Sequence, residues 1–106
     1  MAYDEGLAER IREVLGETPD LTEKKMFGGL AFMLGGKMFV GINQEDLTVR
    51  VGPERYEEAL KEPGAREMDF TGRPMKGYVF VDAAGFEDDA ELAKWVSWAT
   101  EFVKTL

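Results

Sequence analysis

The sequence predicts an α+β two-layer sandwich, in which helices pack mainly on one face of a five-stranded antiparallel sheet. Two apolar runs are joined by Gly35-Gly36, which is typical of a tight β-hairpin because such turns need positive φ angles. Residues 47–51 alternate between apolar and polar side chains, as a half-buried strand does. Both ends of the chain carry apolar residues at helical spacing. With 106 residues, the chain is expected to form one domain, 1–106, in the order α-β-β-β-α-β-β-α.

The first predicted helix runs from Asp4 to Leu15. Its apolar residues fall at i, i+4, i+7 and i+8 and form one narrow stripe: Leu7, Ile11, Val14 and Leu15. Asp4 can cap the first turn, and Gly16 can close the helix because glycine tolerates the left-handed conformation. The helix should therefore lie on the sheet with its charged face in water.

The hairpin is predicted to pair a strand from Lys25 to Leu34 with a strand from Lys37 to Ile42. A two-residue link at Gly35-Gly36 places Phe32 opposite Phe39 and Met33 opposite Met38. Gly28-Gly29 interrupts the first of these strands. A β-bulge is the preferred interpretation of this pair, and close approach of a partner or ligand is the alternative.

The remaining elements follow from turn residues and apolar spacing. They are a turn at Asn43–Asp46, a strand over 47–51, a short helix from Pro53 to about Lys61, a strand at Glu67–Phe70, a turn at Thr71–Pro74, a strand at Gly77–Asp82 and a helix from Asp89 to about Lys104. Asp88 and Glu91 resemble a capping box at the start of that last helix.

The C-terminal helix carries a broad apolar face. Its members are Leu92, Trp95, Val96, Ala99, Phe102, Val103 and Leu106. Trp98 lies off the centre of this face. It is expected either to form part of an interface, where aromatic residues are enriched, or to pack against the first helix.

The composition excludes much chemistry. The chain has no His and no Cys, and Ser97 is its single serine. It therefore has no imidazole, no thiolate nucleophile, no disulfide and no zinc-finger site. No phosphate-binding glycine loop of the usual kinds is present. We expect no catalytic residues, no cofactor and no metal, although carboxylate, Lys or Tyr chemistry stays open.

The net charge is −8, from 21 acidic and 13 basic residues. This charge opposes direct nucleic-acid binding, which needs Lys and Arg placed to neutralise phosphates. The bases that could form a local patch are Lys24, Lys25, Arg50, Arg73 and Lys76, and scattered solvated charges are the preferred interpretation. The acidic run from Asp82 to Glu91 could hold a divalent metal, but complementing a helix N-terminus is preferred.

No apolar run is long enough to span a membrane, and no export signal is visible. A cytoplasmic protein is therefore expected.

Several blocks of the sequence resemble the TfoX N-terminal domain family, which forms the N-terminal half of the TfoX/Sxy competence regulators. The most specific are the KMFGG block at Lys25–Gly29 and the GKMFV block at Gly36–Val40, followed by LTVRV, GPERYEEAL, TGRPMKGYVFVD and ELAKWVSWA. The resemblance implies a five-stranded sheet under a helical layer, similar to type III secretion chaperones. It also implies a role as a transcriptional coactivator. Full-length members carry a second, helix-hairpin-helix domain, so this chain, which ends at Leu106, is expected to be a stand-alone member.

The function predicted from these observations is that of a regulatory domain that binds a protein partner, with a homodimer as one option, and catalyses no reaction. One alternative is a nucleic-acid-associated regulator, which a clustered basic surface would favour. The other is a small-molecule-binding or enzymatic domain, which a deep pocket with Tyr78, Arg50 or Lys76 would favour. The candidate binding residues are Lys24, Lys25, Gly28, Gly29, Arg50, Arg73, Lys76 and Trp98.

Overall fold

The computed structural model of the chain describes residues 4–26, 29–67 and 76–106, with the backbone alone at Met26. Within these residues the elements are α1 (Glu5–Leu15), β1 (Leu21–Met26), β2 (Gly29–Leu34), β3 (Lys37–Asn43), β4 (Asp46–Arg50), α2 (Tyr56–Leu60), β5 (Ala65–Glu67), β6 (Tyr78–Val81), a short 3₁₀ helix (Ala83–Gly85) and α3 (Asp89–Val103). The α+β class is confirmed, and the antiparallel sheet that the structure describes has six strands where five were predicted. The turn predicted at Thr71–Pro74 and residues 68–70 of the predicted strand lie outside the described residues.

The strand order is β1-β2-β3-β4-β6-β5, and β1 is the strand that the sequence pattern did not predict. It pairs with β2 from Leu21↔Leu34 to Met26↔Gly29. β1 and β2 are thus two separate antiparallel strands, so the prediction of one strand from Lys25 to Leu34 was wrong. An edge strand that is exposed along most of its length, and that carries charged residues, shows no apolar alternation to reveal it.

Gly29 of the KMFGG block therefore does not lie in a bulge within one strand. Gly29 begins β2 and is buried, and a Cβ atom added there would lie 2.1 Å from the carbonyl oxygen of Ile42. Close approach of a neighbouring backbone thus explains this glycine. Gly28 lies outside the described residues.

The β2–β3 hairpin is confirmed, with positive φ at Gly35 (60°) and Gly36 (82°). Met33 faces Met38 as predicted, but Phe32 faces Val40 and not Phe39. The register shifts after Phe32, which leaves Phe39 as an extra, fully buried residue in β3. Adjacent residues at a β-bulge can point to the same face, and here both Phe39 and Val40 belong to the core. Hydrophobic pattern alone does not locate such a bulge.

The core lies between the helices and one face of the sheet. Paired residues of the four central strands form this face: Leu30, Phe32, Val40, Ile42, Leu47, Val49, Val79 and Val81. Leu7 and Ile11 of α1 and Leu92, Trp95 and Val96 of α3 pack in the same cluster. On the other face, a row of mostly small residues joins the strands, namely Ala31, Gly41, Thr48 and Phe80, and these are buried too.

The boundaries of α1 and α3 agree with the predictions to within one residue, whereas α2 begins at Tyr56 and not at Pro53, and one predicted cap is wrong. The Asp4 carboxylate accepts from the backbone N–H groups of Gly6 (2.9 Å) and Leu7 (3.2 Å), as expected for an N-cap. Asp88 precedes α3 without a side-chain cap hydrogen bond, so the predicted capping box was wrong. Glu91 instead accepts from Lys94 at 2.9 Å. Among the described residues, no helix is both long enough and apolar enough to cross a membrane.

Candidate interaction surface

Trp98 lies half-buried against the core, next to the start of α2. Its ring meets the Trp95 ring edge-on, with centroids 5.4 Å apart and planes at 75°. The Arg55 guanidinium, at the N-cap of α2, lies 4.8 Å from the Trp98 centroid. Trp98 was expected either to form part of an interface or to pack against the first helix. The structure places it beside α2. Whether the ring contacts a partner stays a prediction.

A second cation reaches Trp98 from its own helix. The Lys94 ammonium lies 5.4 Å from the Trp98 centroid and forms ion pairs with Glu62 and Glu91. Burial alone would lower the pKa of Lys94, but the hydrogen bonds to these two carboxylates outweigh burial and raise it. Lys94 therefore stays charged, and it connects α3 to the segment that follows α2.

A groove opens between the start of α2 and the C-terminal half of α3, with a volume of about 570 Å³. We call it the α2–α3 groove, and the residues that define it are Gly52, Glu54, Arg55, Glu58, Trp98 and Glu101. Gly52 has a φ of 88°, and a Cβ atom added there would lie 2.3 Å from the Phe102 ring. A larger residue would force this ring to move, so Gly52 sets the shape of one end of the groove.

The groove combines aromatic surface with an excess of negative charge. Its lining contains three carboxylates, from Glu54, Glu58 and Glu101, and one guanidinium, from Arg55. The ion-pair distances from Arg55 to Glu58 and to Glu101 are both 3.9 Å, which is too long for a hydrogen bond. Both glutamate side chains are mostly exposed, so these carboxylates remain available to a further cation.

The groove belongs to an acidic helical layer. Residues 4–17, 53–62 and 82–104 form the helices and their flanks, and they contain fifteen acidic and six basic residues, a formal charge of −9. The rest of the chain contains six acidic and seven basic residues, a charge of +1. The whole acidic excess of the protein thus lies in the helical segments.

Among the described basic candidates, Lys24 and Lys25 lie far from Arg50. Consecutive strand residues point to opposite faces, so Lys24 and Lys25 diverge on the edge strand β1. Arg50 lies on β4, three strands and about 14 Å away at the usual strand spacing. Lys76 is exposed just before β6, and Arg73 lies outside the described residues.

Arg50 also has internal partners. Its guanidinium lies 5.4 Å from the ring centroids of both Tyr78 and Phe102, and it donates to the carbonyl oxygen of Met38 (3.3 Å). These contacts hold the end of β4 against β3 and α3. The arrangement gives the Arg50 side chain a structural role in these contacts.

The acidic run before α3 is distributed among separate local roles. Asp82 accepts from the backbone N–H of Ala84 (3.1 Å), and Asp89 pairs with Arg10 of α1 (3.2 Å). Across the described residues, no group of three carboxylates is arranged to hold a metal ion.

Tyr56 is a buried titratable group at the start of α2. Burial, followed by the neighbouring Glu67 carboxylate, raises the pKa of Tyr56, and its hydroxyl donates to Glu67 over 3.3 Å. A raised pKa keeps the phenol protonated near neutral pH. This arrangement suits a structural contact between α2 and β5 and does not activate a nucleophile.

A second groove, of about 380 Å³, lies on the other side of α3, between that helix and α1. We call it the α1–α3 groove. Its lining combines apolar side chains, including Val14, Leu15, Leu34 and Val96, with polar ones such as Lys104. Val14, at 39% exposed, was predicted to belong to the buried stripe of α1 but lies at the rim of this groove.

Around Trp98, the residues that were not predicted as candidates from the sequence include Arg55, Glu58, Lys94 and Glu101. Part of the signal was present, since Lys94 and Glu101 are spaced i−4 and i+3 from Trp98 and share its side of the helix. No sequence signal places Arg55 and Glu58 there, because they come from a different element.

The TfoX N-terminal domain model matches residues 13–103 of the chain. Neither the comparison with curated proteins nor the comparison with solved structures gave a match.

Proposed function

The chain belongs to the TfoX N-terminal domain family, and we propose that it is a regulatory domain that acts by binding a protein partner and catalyses no reaction. The family fits a regulatory, competence-associated role and is not a known enzyme family. A domain of this kind needs a recognition surface rather than a reaction centre.

The observation that carries the proposal is the α2–α3 groove. It presents Trp98 and Arg55, two of the residue types that contribute most binding energy at protein interfaces. Trp98 rests on Trp95, whose side chain is fully buried, so the ring is held in place before any partner arrives. A rigid aromatic side chain loses little conformational entropy on binding.

Direct binding of duplex DNA does not fit this surface. The helical layer is acidic, and Lys24 and Lys25 of β1 lie three strands away from Arg50 of β4. The acidic helical layer would repel a phosphate backbone, and the sheet would offer it too few neighbouring cations. In a mobility-shift assay near 150 mM salt, the protein should leave duplex DNA unshifted at micromolar concentration. A sub-micromolar shift that weakens steeply with salt would favour the nucleic-acid alternative.

The test of the proposal is affinity capture with the immobilised protein from extracts of its source cells. Captured proteins would be identified by mass spectrometry, purified and titrated against the domain by calorimetry. The proposal expects one partner to bind with saturating stoichiometry. It is contradicted if no captured protein binds after purification, or if the domain turns over a small molecule instead.

A further inference from the structure

We infer that the α2–α3 groove takes a basic peptide segment of the partner protein, with an Arg or Lys side chain seated beside Trp98. This inference rests on the proposed function, and it adds the place of contact and the chemistry of the occupant. One internal contact and the charges around it carry the inference.

The internal contact is that between Arg55 and Trp98, and it shows that the groove accommodates a guanidinium group. A guanidinium lies 4.8 Å from the Trp98 centroid, with a carboxylate 3.9 Å away on each of two different helices. An aromatic face with flanking carboxylates is a favourable environment for a cation. A side chain of the chain itself thus already demonstrates the chemistry that a partner arginine would use.

The charges leave room for a further cation. Glu54, Glu58 and Glu101 exceed the single Arg55, so the groove has a surplus of two negative charges. Neither Glu58 nor Glu101 is within hydrogen-bond distance of Arg55. A partner Lys or Arg can therefore pair with them without displacing an existing short ion pair.

The acidic helical layer around the groove selects the same class of partner. Complementary charge speeds the encounter of two proteins and disfavours wrong partners. A layer with a formal charge of −9 attracts a basic segment and repels an acidic peptide. The exposed edge of Trp98 and the Phe102 ring supply apolar surface for the stem of a long basic side chain.

The first experiment follows the two tryptophans by NMR. The probe is a nine-residue peptide of alternating Arg and Leu, and its control carries Glu in place of each Arg. The Trp98 indole signal should shift and saturate with the basic peptide, whereas the Trp95 indole, which donates to the buried carbonyl oxygen of Gly85 (3.1 Å), should shift little. Backbone shifts should cluster on residues 52–58 and 98–102.

The second experiment removes the groove charges. The variant is Glu54→Gln, Glu58→Gln and Glu101→Gln together. The matched control neutralises three exposed carboxylates elsewhere in the helical layer, Glu13→Gln, Glu17→Gln and Glu87→Gln, and so has the same net charge. The groove variant should bind the basic peptide about tenfold more weakly or worse, and the control should change affinity by less than about threefold.

Four outcomes would overturn the inference. Equal weakening in both triple variants means that the peptide senses only the overall charge. Equal binding of the acidic peptide, or shifts confined to another surface, removes the groove as the site. Sedimentation that shows a dimer disrupted by the groove variant alone assigns the groove to a second copy of the chain.

The inference and the proposed function fail in different ways. If a purified partner binds the groove variant as tightly as it binds the unaltered protein, the proposed partner binding is supported, but the α2–α3 groove is not the binding site. If the unaltered protein binds no purified partner, the function itself is wrong. Melting temperatures of both triple variants confirm that any loss of binding occurs in a folded protein.

Discussion

The two grooves beside α3 share one helix and present different chemistry. The α2–α3 groove offers a tryptophan, a guanidinium and three carboxylates, whereas the α1–α3 groove combines apolar side chains such as Val14 and Leu34 with hydroxyl groups and one charge of each sign. Glu101 reaches both of them. The difference arises from the neighbours that pack on each side of the helix. One amphipathic helix thus supplies two surfaces, and the tertiary contacts decide which of them recognises charge.

Among the variants of α3, Trp95→Ala, which removes a large side chain from the core, should have the largest effect on stability. Trp95 is fully buried and its indole N–H donates to Gly85, so the variant leaves a large cavity and an unpaired carbonyl group. The free energy of unfolding should fall by about 3–5 kcal/mol, which approaches the whole stability of a small domain. Chemical denaturation followed by circular dichroism would measure it.

The companion change is Trp98→Ala, in the α2–α3 groove. It should cost clearly less than Trp95→Ala because its ring is only half-buried. If the two variants unfold at the same denaturant concentration, Trp98 contributes as much to the core as Trp95 does, and the distinction between core and groove residues is wrong.

Gly52→Ala should damage the α2–α3 side specifically. The added methyl group must adopt a left-handed backbone and also meets the Phe102 ring at 2.3 Å. Gly36→Ala is the matched control, since its φ is 82° but open space surrounds its Cβ position. Both variants incur a backbone strain of about 1–2 kcal/mol, and the overpacking should cost Gly52→Ala about 1–3 kcal/mol more. Equal midpoints in thermal melting would mean that Phe102 moves freely and does not shape the groove.

On the α1 side, Glu23→Gln should have a small effect that depends on pH. Arg12 donates to both carboxylate oxygens of Glu23, at 2.8 and 2.7 Å. These hydrogen bonds lower the pKa of Glu23, against the opposing effect of burial. The pair is partly exposed, so the loss at neutral pH should be at most about 1 kcal/mol.

The sign of the pH dependence follows from the lowered pKa. The ionised carboxylate stabilises the fold above the pKa of the unfolded chain, about 4.3, and this contribution disappears as the pH falls through the lower pKa of the folded state. Melts from pH 7 down to pH 3 should therefore show the two proteins converging at the acidic end. A constant difference at all pH values would show that the ion pair is not its origin.

The smallest expected effect is that of Val14→Thr, at the rim of the α1–α3 groove. The side chain is partly exposed, so stability should change by no more than about 0.5 kcal/mol. Affinity for the basic peptide should stay unchanged in the same titration. A weakened affinity would show that the bound peptide extends over both sides of α3.

Local patterns predicted most of the elements because their causes are local. The stripe of α1 with its Asp4 cap, the Gly35-Gly36 turn and the run Tyr78–Val81 each depend on residues that are neighbours along the chain. The family blocks added the identification with the TfoX N-terminal domain, which the match over residues 13–103 supports. Composition also restricted the chemistry, since a chain without His and Cys has few groups that titrate near neutral pH.

Tertiary structure decided the features that depend on partners distant in the chain. β1 exists because β2 offers a hydrogen-bonding edge, and the extra residue Phe39 is accommodated because the core beneath the helices has space for it. The candidate site has the same origin. Trp98 and Glu101 are neighbours on one helix, but the cation between them, Arg55, comes from a segment more than forty residues away along the chain. Side-chain spacing sets what a helix can present, and the packing of other elements against it determines which groups meet.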